Sequence, residues 1–70
     1  MRFSFHAVLR AEERNIRFPE LAYIAVKTGK VERFGKQGIK FVKRFKKGSI
    51  ICIGEETPMC IIIKTIERGN

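Results

Sequence analysis

The chain reads as an α+β domain with the element order β-α-α-β-β-β, two N-terminal helices lying on one face of a small antiparallel sheet. Three observations predict this class. Apolar residues recur with a helical period as far as Gly29 and alternate with a period of two beyond it. Helix caps and stops occur only before that point, whereas glycine-bearing turns divide the segment after it. The stretch "IICIG" and the later "MCIIIKTI" carry apolar side chains at consecutive positions, as strands in the middle of a sheet do.

Met1–Phe3 can add a short edge strand. Ser4 is a good N-cap for a helix running to about Arg14, with Phe3 placed to staple its start and Asn15 able to end it in the left-handed conformation. At about 100° per residue, Phe5, Val8, Leu9 and Glu12 fall on one side of that helix. His6, Arg10 and Glu13 fall on the other, with Arg14 at the border. Arg17 extends the polar stripe only if the helix does not stop at Asn15.

A second helix is signalled by Pro19 at its first position, Glu20 in its first turn, the set Leu21, Ile24, Ala25 and Val26, then Lys27 and the terminator Gly29. "KVERF" can form a short strand and "GKQG" turns the chain. "IKFVKRF" alternates Ile39, Phe41 and Phe45 with Lys40, Val42 and Arg44, and Lys46 continues the basic side; Lys43 interrupts the apolar face. "KKGS" is a second turn, and "EETP" links the last two strands as a hairpin. Both helices belong on one face because a thin sheet needs at least one covered side. The other face is expected to be basic.

At 70 residues the chain forms one domain with a thin core. Its 44% hydrophobic content sets it apart from disordered chains. No apolar run reaches the ~18 residues of a membrane span, and "RAEER" interrupts the start before a signal-peptide core can form. A cytoplasmic protein is expected. Cys52 and Cys60 lie in apolar runs without a second Cys pair or a His cluster, so no metal site or cofactor is expected. They read as buried thiols; a cross-strand disulfide would require them to sit opposite each other.

The formal charge of +8 is concentrated in the middle. Residues 27–47 carry nine basic side chains and one acidic, a net +8, against +1 before and −1 after. Such a block favours a polyanion, because neutralising phosphates releases counterions. A solvated lysine-rich face that keeps a small protein soluble is the alternative.

The opening "FSFHAVLRAEERNI" resembles that of a small protein family whose members carry a short strand, a Ser or Thr cap, "HA", an arginine four residues after the histidine, and "ER". Those positions are Ser4, His6, Ala7, Arg10, Glu13 and Arg14, followed by the aliphatic Ile16; "GKVERF" and "CIIIKTI" match the family's strands. The family looks like a relative of the RelE/ParE and BrnT toxins. The resemblance implies a RelE-like fold and a metal-independent ribonuclease acting as the toxin of a toxin–antitoxin pair. Its implied partners are RNA, free or on the ribosome, and an acidic antitoxin, with no membrane. Asn15 stands where the family usually has Gly, Arg17 and Phe18 replace a Ser/Thr-type cap, and Ala11 replaces a common Met.

Metal-free RNA cleavage needs a base for the 2′-hydroxyl proton, an acid for the leaving oxygen and cations around the transition state. His6, Arg10 and Glu13 are the candidate catalytic set: His6 as acid or base, Glu13 as an alternative base, Arg10 as a phosphate fork. The structural alternative has His6 and Arg10 bonding inward to fix the helix. Arg14, Lys40, Lys43, Arg44, Lys46, Lys47 and Arg68 are the expected nucleic-acid contacts. Thr65 reads as an ordinary strand residue and Tyr23 as a packing one. Phe34, Phe41 and Phe45 interleave with the basic residues, as on stacking surfaces, but at strand spacing read as core. A non-catalytic nucleic-acid-binding module, and an interaction protein docking an acidic partner, are the alternatives to a toxin.

Overall fold

The computed structural model describes residues 1–69. Its elements are β1 (Arg2–Phe3), α1 (Phe5–Glu13), α2 (Glu20–Thr28), β2 (Lys30–Phe34), β3 (Gly38–Phe45), β4 (Gly48–Glu56) and β5 (Ile61–Gly69). The α+β class and the two N-terminal helices stand as expected. Four strands follow the helices, matching the four segments read as strands and one more than the order β-α-α-β-β-β contains. The five-stranded sheet, ordered β1-β5-β4-β3-β2, is mixed rather than antiparallel, because β1 runs parallel to β5 while β2 to β5 form a meander.

The helix signals act where they were read. The Ser4 hydroxyl accepts from the Ala7 amide at 3.1 Å, Asn15 adopts a φ of 53°, and Gly29 closes α2. Pro19 is the N-cap rather than the first helical residue.

The rotation of α1 is the main surprise. Ala7 and Ala11 face the sheet, completely buried, while Phe5 is 78% and Leu9 40% exposed. The start of the helix is pinned: the Ser4 amide donates to the Ile63 carbonyl at 2.8 Å and its hydroxyl to the Lys64 carbonyl at 3.2 Å. So tethered to β5, α1 turns the small Ala7 and Ala11 onto the sheet, which allows its backbone to approach closely. Apolar periodicity favoured the Phe5–Leu9 side, and the tether overrides it.

α2 buries Ala22 and Ala25 over β3 and β4. Ile39, Phe41, Ile50, Cys52, Ile63 and Ile66 rise from the covered face of the sheet into this core. The uncovered face carries Val42, Ile51 and Ile53 only half-buried, so the doubly apolar β4 is central in strand order without a layer on both sides. Near Ile53 and Gly54 the β4–β5 register slips by one residue. Gly54 is required there, since a Cβ would run into the Ile62 carbonyl.

The β4–β5 turn falls later than "EETP". Glu55 and Glu56 stay in β4, held by Lys64 and by Arg33 at 3.0 Å, and the reversal is made by Thr57. Its amide and hydroxyl both donate to the Cys60 carbonyl, and the hydroxyl accepts from the Cys60 amide.

Cys52 and Cys60 are free thiols, and Cys52 lies opposite Ile66 rather than Cys60. Burial pushes the Cys52 thiol up to about 11. Once unfolded, the thiol ionises near pH 9, so above that pH the unfolded chain releases a proton that the folded chain retains. Stability should therefore fall between pH 9 and 11, by about 2–3 kcal/mol. Thermal melts across this range should show the slope in the wild type and a flatter one in Cys52→Ala; identical slopes would rule the thiol out as its source.

Candidate nucleic-acid interface

Strand alternation distributes the basic residues over two faces. Along the covered face, Lys43, Ile50 and Arg68 form one cross-strand row; on the open face, Lys40 aligns with Ile53 and Arg44 with Ser49. Lys40 is engaged by Glu32 at 3.5 Å, whereas Arg44 is exposed. The expected single basic surface is thus not formed. Lys46, placed beyond the end of β3 in the turn, also leaves the face that alternation assigns to it.

The convergence occurs instead at the end of the covered face. The β3–β4 hairpin, the loop after α1 and the C-terminal part of β5 enclose a cleft of about 510 Å³. Arg17, Lys46, Lys47 and Arg68 line it together with Asn15, over the apolar residues Leu21, Phe45 and Ile50. No carboxylate is among these lining residues. Two left-handed turns shape the cleft: Asn15 reverses the chain after α1, and Gly48, with a φ of 125°, closes the hairpin. The Asn15 carbonyl accepts from Arg68 Nη2 at 3.2 Å. This bond orients the guanidinium while leaving most of its donors available. Arg17 is joined only by a 4.0 Å contact to Glu20.

Three of the expected nucleic-acid contacts, Lys46, Lys47 and Arg68, therefore meet here, and Lys43 lies half-buried on the same face. Arg17 was missed. The expected stop at Asn15 takes it off the stripe of α1, and the turn there carries it to the cleft. Phe41 is core, as expected, but Phe34 is half-exposed and Phe45 lines the cleft.

A second cleft, of about 500 Å³, lies on the open face and includes Phe34, Lys36, Ile53, Glu55 and Lys64. Here the Glu55 carboxylate pairs with Lys64. It lacks the one-sided charge of the first.

The proposed catalytic set lies along the exposed flank of α1. Arg10 Nε donates to His6 Nε2 at 3.2 Å, and Arg10 also lies 3.6 Å from Glu13. A guanidinium offers donors only, so Nε2 is the acceptor and the imidazole proton of that tautomer is on Nδ1. Neither His6 nor Arg10 bonds inward to the sheet.

Arg14 does. It sits 3.7 Å from Glu13 and forms a 2.7 Å ion pair with Glu67 on β5, so it is an architectural residue rather than an available phosphate contact. Glu67 in turn accepts from the Thr65 hydroxyl at 2.7 Å. This link was not legible in the chain, because α1 and the end of β5 meet only when β5 pairs beside β1. Tyr23 packs edge-on against Phe3, with ring centroids 5.7 Å apart.

Among the described residues, no three His, Cys, Asp or Glu side chains gather as a metal-ligand set, and no helix is long and apolar enough to cross a membrane. Comparisons with protein-family models, curated proteins and solved structures return no match to this chain.

Proposed function

We propose that this protein binds RNA and cleaves it without a metal, as a RelE/BrnT-like toxin whose acidic antitoxin would cover the same cations. The observation that carries the RNA-binding reading is the cleft in which Arg17, Lys46, Lys47 and Arg68 converge with no carboxylate among its lining residues. Phosphates are the ligands such a cluster neutralises with release of counterions.

The chemistry belongs to α1. His6 lies nine residues before Asn15, about 13 Å along a helical path; a strand anchored in the cleft reaches it by running back along the helix. At rest the His6 Nε2 lone pair is occupied by Arg10. A scissile phosphate draws the Arg10 fork onto its oxygens, which frees Nε2 to take the 2′-hydroxyl proton. The 2′-oxygen attacks phosphorus and the 5′-oxygen leaves with a proton from solvent. The products are a 2′,3′-cyclic phosphate and a 5′-hydroxyl.

Incubation with RNA in EDTA, with and without ribosomes, tests this. His6→Ala and Arg10→Ala should each lower cleavage by about a hundredfold or more, with the melting temperature within a few degrees of wild type, as for surface changes. A folded His6→Ala variant that cleaves normally would move the chemistry elsewhere.

A non-catalytic RNA-binding module is the second reading. It is favoured by the placement of His6, Arg10 and Glu13 outside both clefts. RNA binding with no cleavage by the wild type would select it.

A further inference from the structure

The cleft has two chemically distinct parts, and simple phosphate attraction uses only one of them. Its cations come from three separate elements, Arg17 from the loop after α1, Lys46 and Lys47 from the β3–β4 hairpin, and Arg68 from β5. Between them lie Leu21, Phe45 and Ile50. Ile50 is fully buried, while Phe45 is only partly covered by the core. A bare anion would satisfy the rim and leave the exposed parts of Phe45 and Leu21 in water.

We propose that this cleft receives one unstacked nucleotide of a single-stranded RNA, its base against Phe45 and its phosphate between Lys46, Lys47 and Arg68. This rests on the RNA-binding reading and adds the form of RNA and the part of it that is recognised. A base presents a flat apolar face and a phosphate a compact anion, the two surfaces that the cleft offers side by side. In a duplex both faces of each base are already stacked, so the floor would be inaccessible to it. At about 510 Å³ the cleft lies within the range of small-ligand sites. Anchoring of Arg68 by the Asn15 carbonyl at 3.2 Å reduces the freedom lost when its remaining donors engage a phosphate. On the open face the second cleft has its own aromatic residue, Phe34, but its Lys64 is neutralised by Glu55. The geometry therefore favours the covered-face cleft.

The test uses the full chain, with adenosine 5′-monophosphate, inorganic phosphate, and one RNA sequence as single strand and as duplex. Amide resonances followed by NMR should shift on adding the nucleotide at residues 15–17, 45–50 and 68. The nucleotide should bind at least about fivefold more tightly than inorganic phosphate, the lower end of what base–aromatic stacking contributes. Phe45→Leu, which keeps an apolar side chain at the position, should remove that advantage. Lys47→Ala should weaken both ligands while leaving the nucleotide's advantage in place. Single-stranded RNA should bind better than the duplex.

Equal binding of nucleotide and phosphate, shifts confined to another surface, or equal affinity for single strand and duplex would overturn the inference while leaving RNA binding intact. Shifts at these residues on adding an acidic aromatic peptide, with no response to the nucleotide, would also overturn it. Failure of both RNA forms to bind, with the nucleotide still seated in the cleft, would remove the RNA-binding reading and this inference with it, and leave a site for free mononucleotides.

Discussion

Replacing Ile63 with alanine should leave much of this protein unfolded at 25 °C. Ile63 is completely buried, sits beside Phe3 across the parallel β1–β5 pair, and accepts the Ser4 amide through its carbonyl. Its truncation removes apolar contacts at the junction where β1, α1 and β5 meet. Such a change costs about 2–5 kcal/mol, depending on how far the cavity collapses. A domain of this size has a total stability of only about 3–5 kcal/mol. Ile53→Ala, on the open face and half-buried, should cost visibly less because its side chain has water on one side already. Urea titration monitored by circular dichroism would measure both. Equal midpoints for the two variants would mean that the open face is covered in solution.

The second large effect should be on RNA affinity. A Lys46→Ala, Lys47→Ala, Arg68→Ala triple variant removes three of the four cations of the cleft. For single-stranded RNA each lost phosphate contact lowers the slope of log affinity against log salt by about 0.7, so the triple variant should lose about 2 from that slope. The control is Lys40→Ala with Arg44→Ala, which removes charge from the opposite face. If RNA lies in the cleft, the control should change the slope by far less than the triple variant. Equal slopes per charge removed would mean that RNA senses the net charge of +8 rather than a built site.

The fold class was legible because local physical preferences and the final architecture agree over most of the chain. Ser4 and Asn15 act as helix punctuation through their own side-chain or backbone chemistry, which the chain carries wherever it goes, whereas Gly29 ends α2 where a Cβ would meet the Val42 carbonyl of β3. β2 and β3 likewise follow the readable alternation and turn signals of residues 30–45. The late β4–β5 turn shows the limit. Glu55 and Glu56 look like turn residues until Lys64 and Arg33 lie alongside them and hold them in the strand.

The candidate site was legible as residue types rather than as a place. His6 and Arg10 share a flank of α1 because they are four residues apart, and their contact follows from helical spacing alone. The net positive block between residues 27 and 47 also belongs to composition. Which of those charges act together does not, because Lys40 and Arg44 go to one face while Lys46 and Lys47 join Arg68, some twenty residues further on, at the other. Likewise, Arg14 becomes architectural only when β5 brings Glu67 within 2.7 Å. The inward face of α1 is Ala7–Ala11 in a helix tied to β5 at both ends, by Ser4 to Ile63 and Lys64 and by Arg14 to Glu67. Helical period, caps and charge blocks are properties of neighbouring residues and can be read in order. Facing, neutralisation and convergence depend on pairs far apart in the chain, and sheet register settles them.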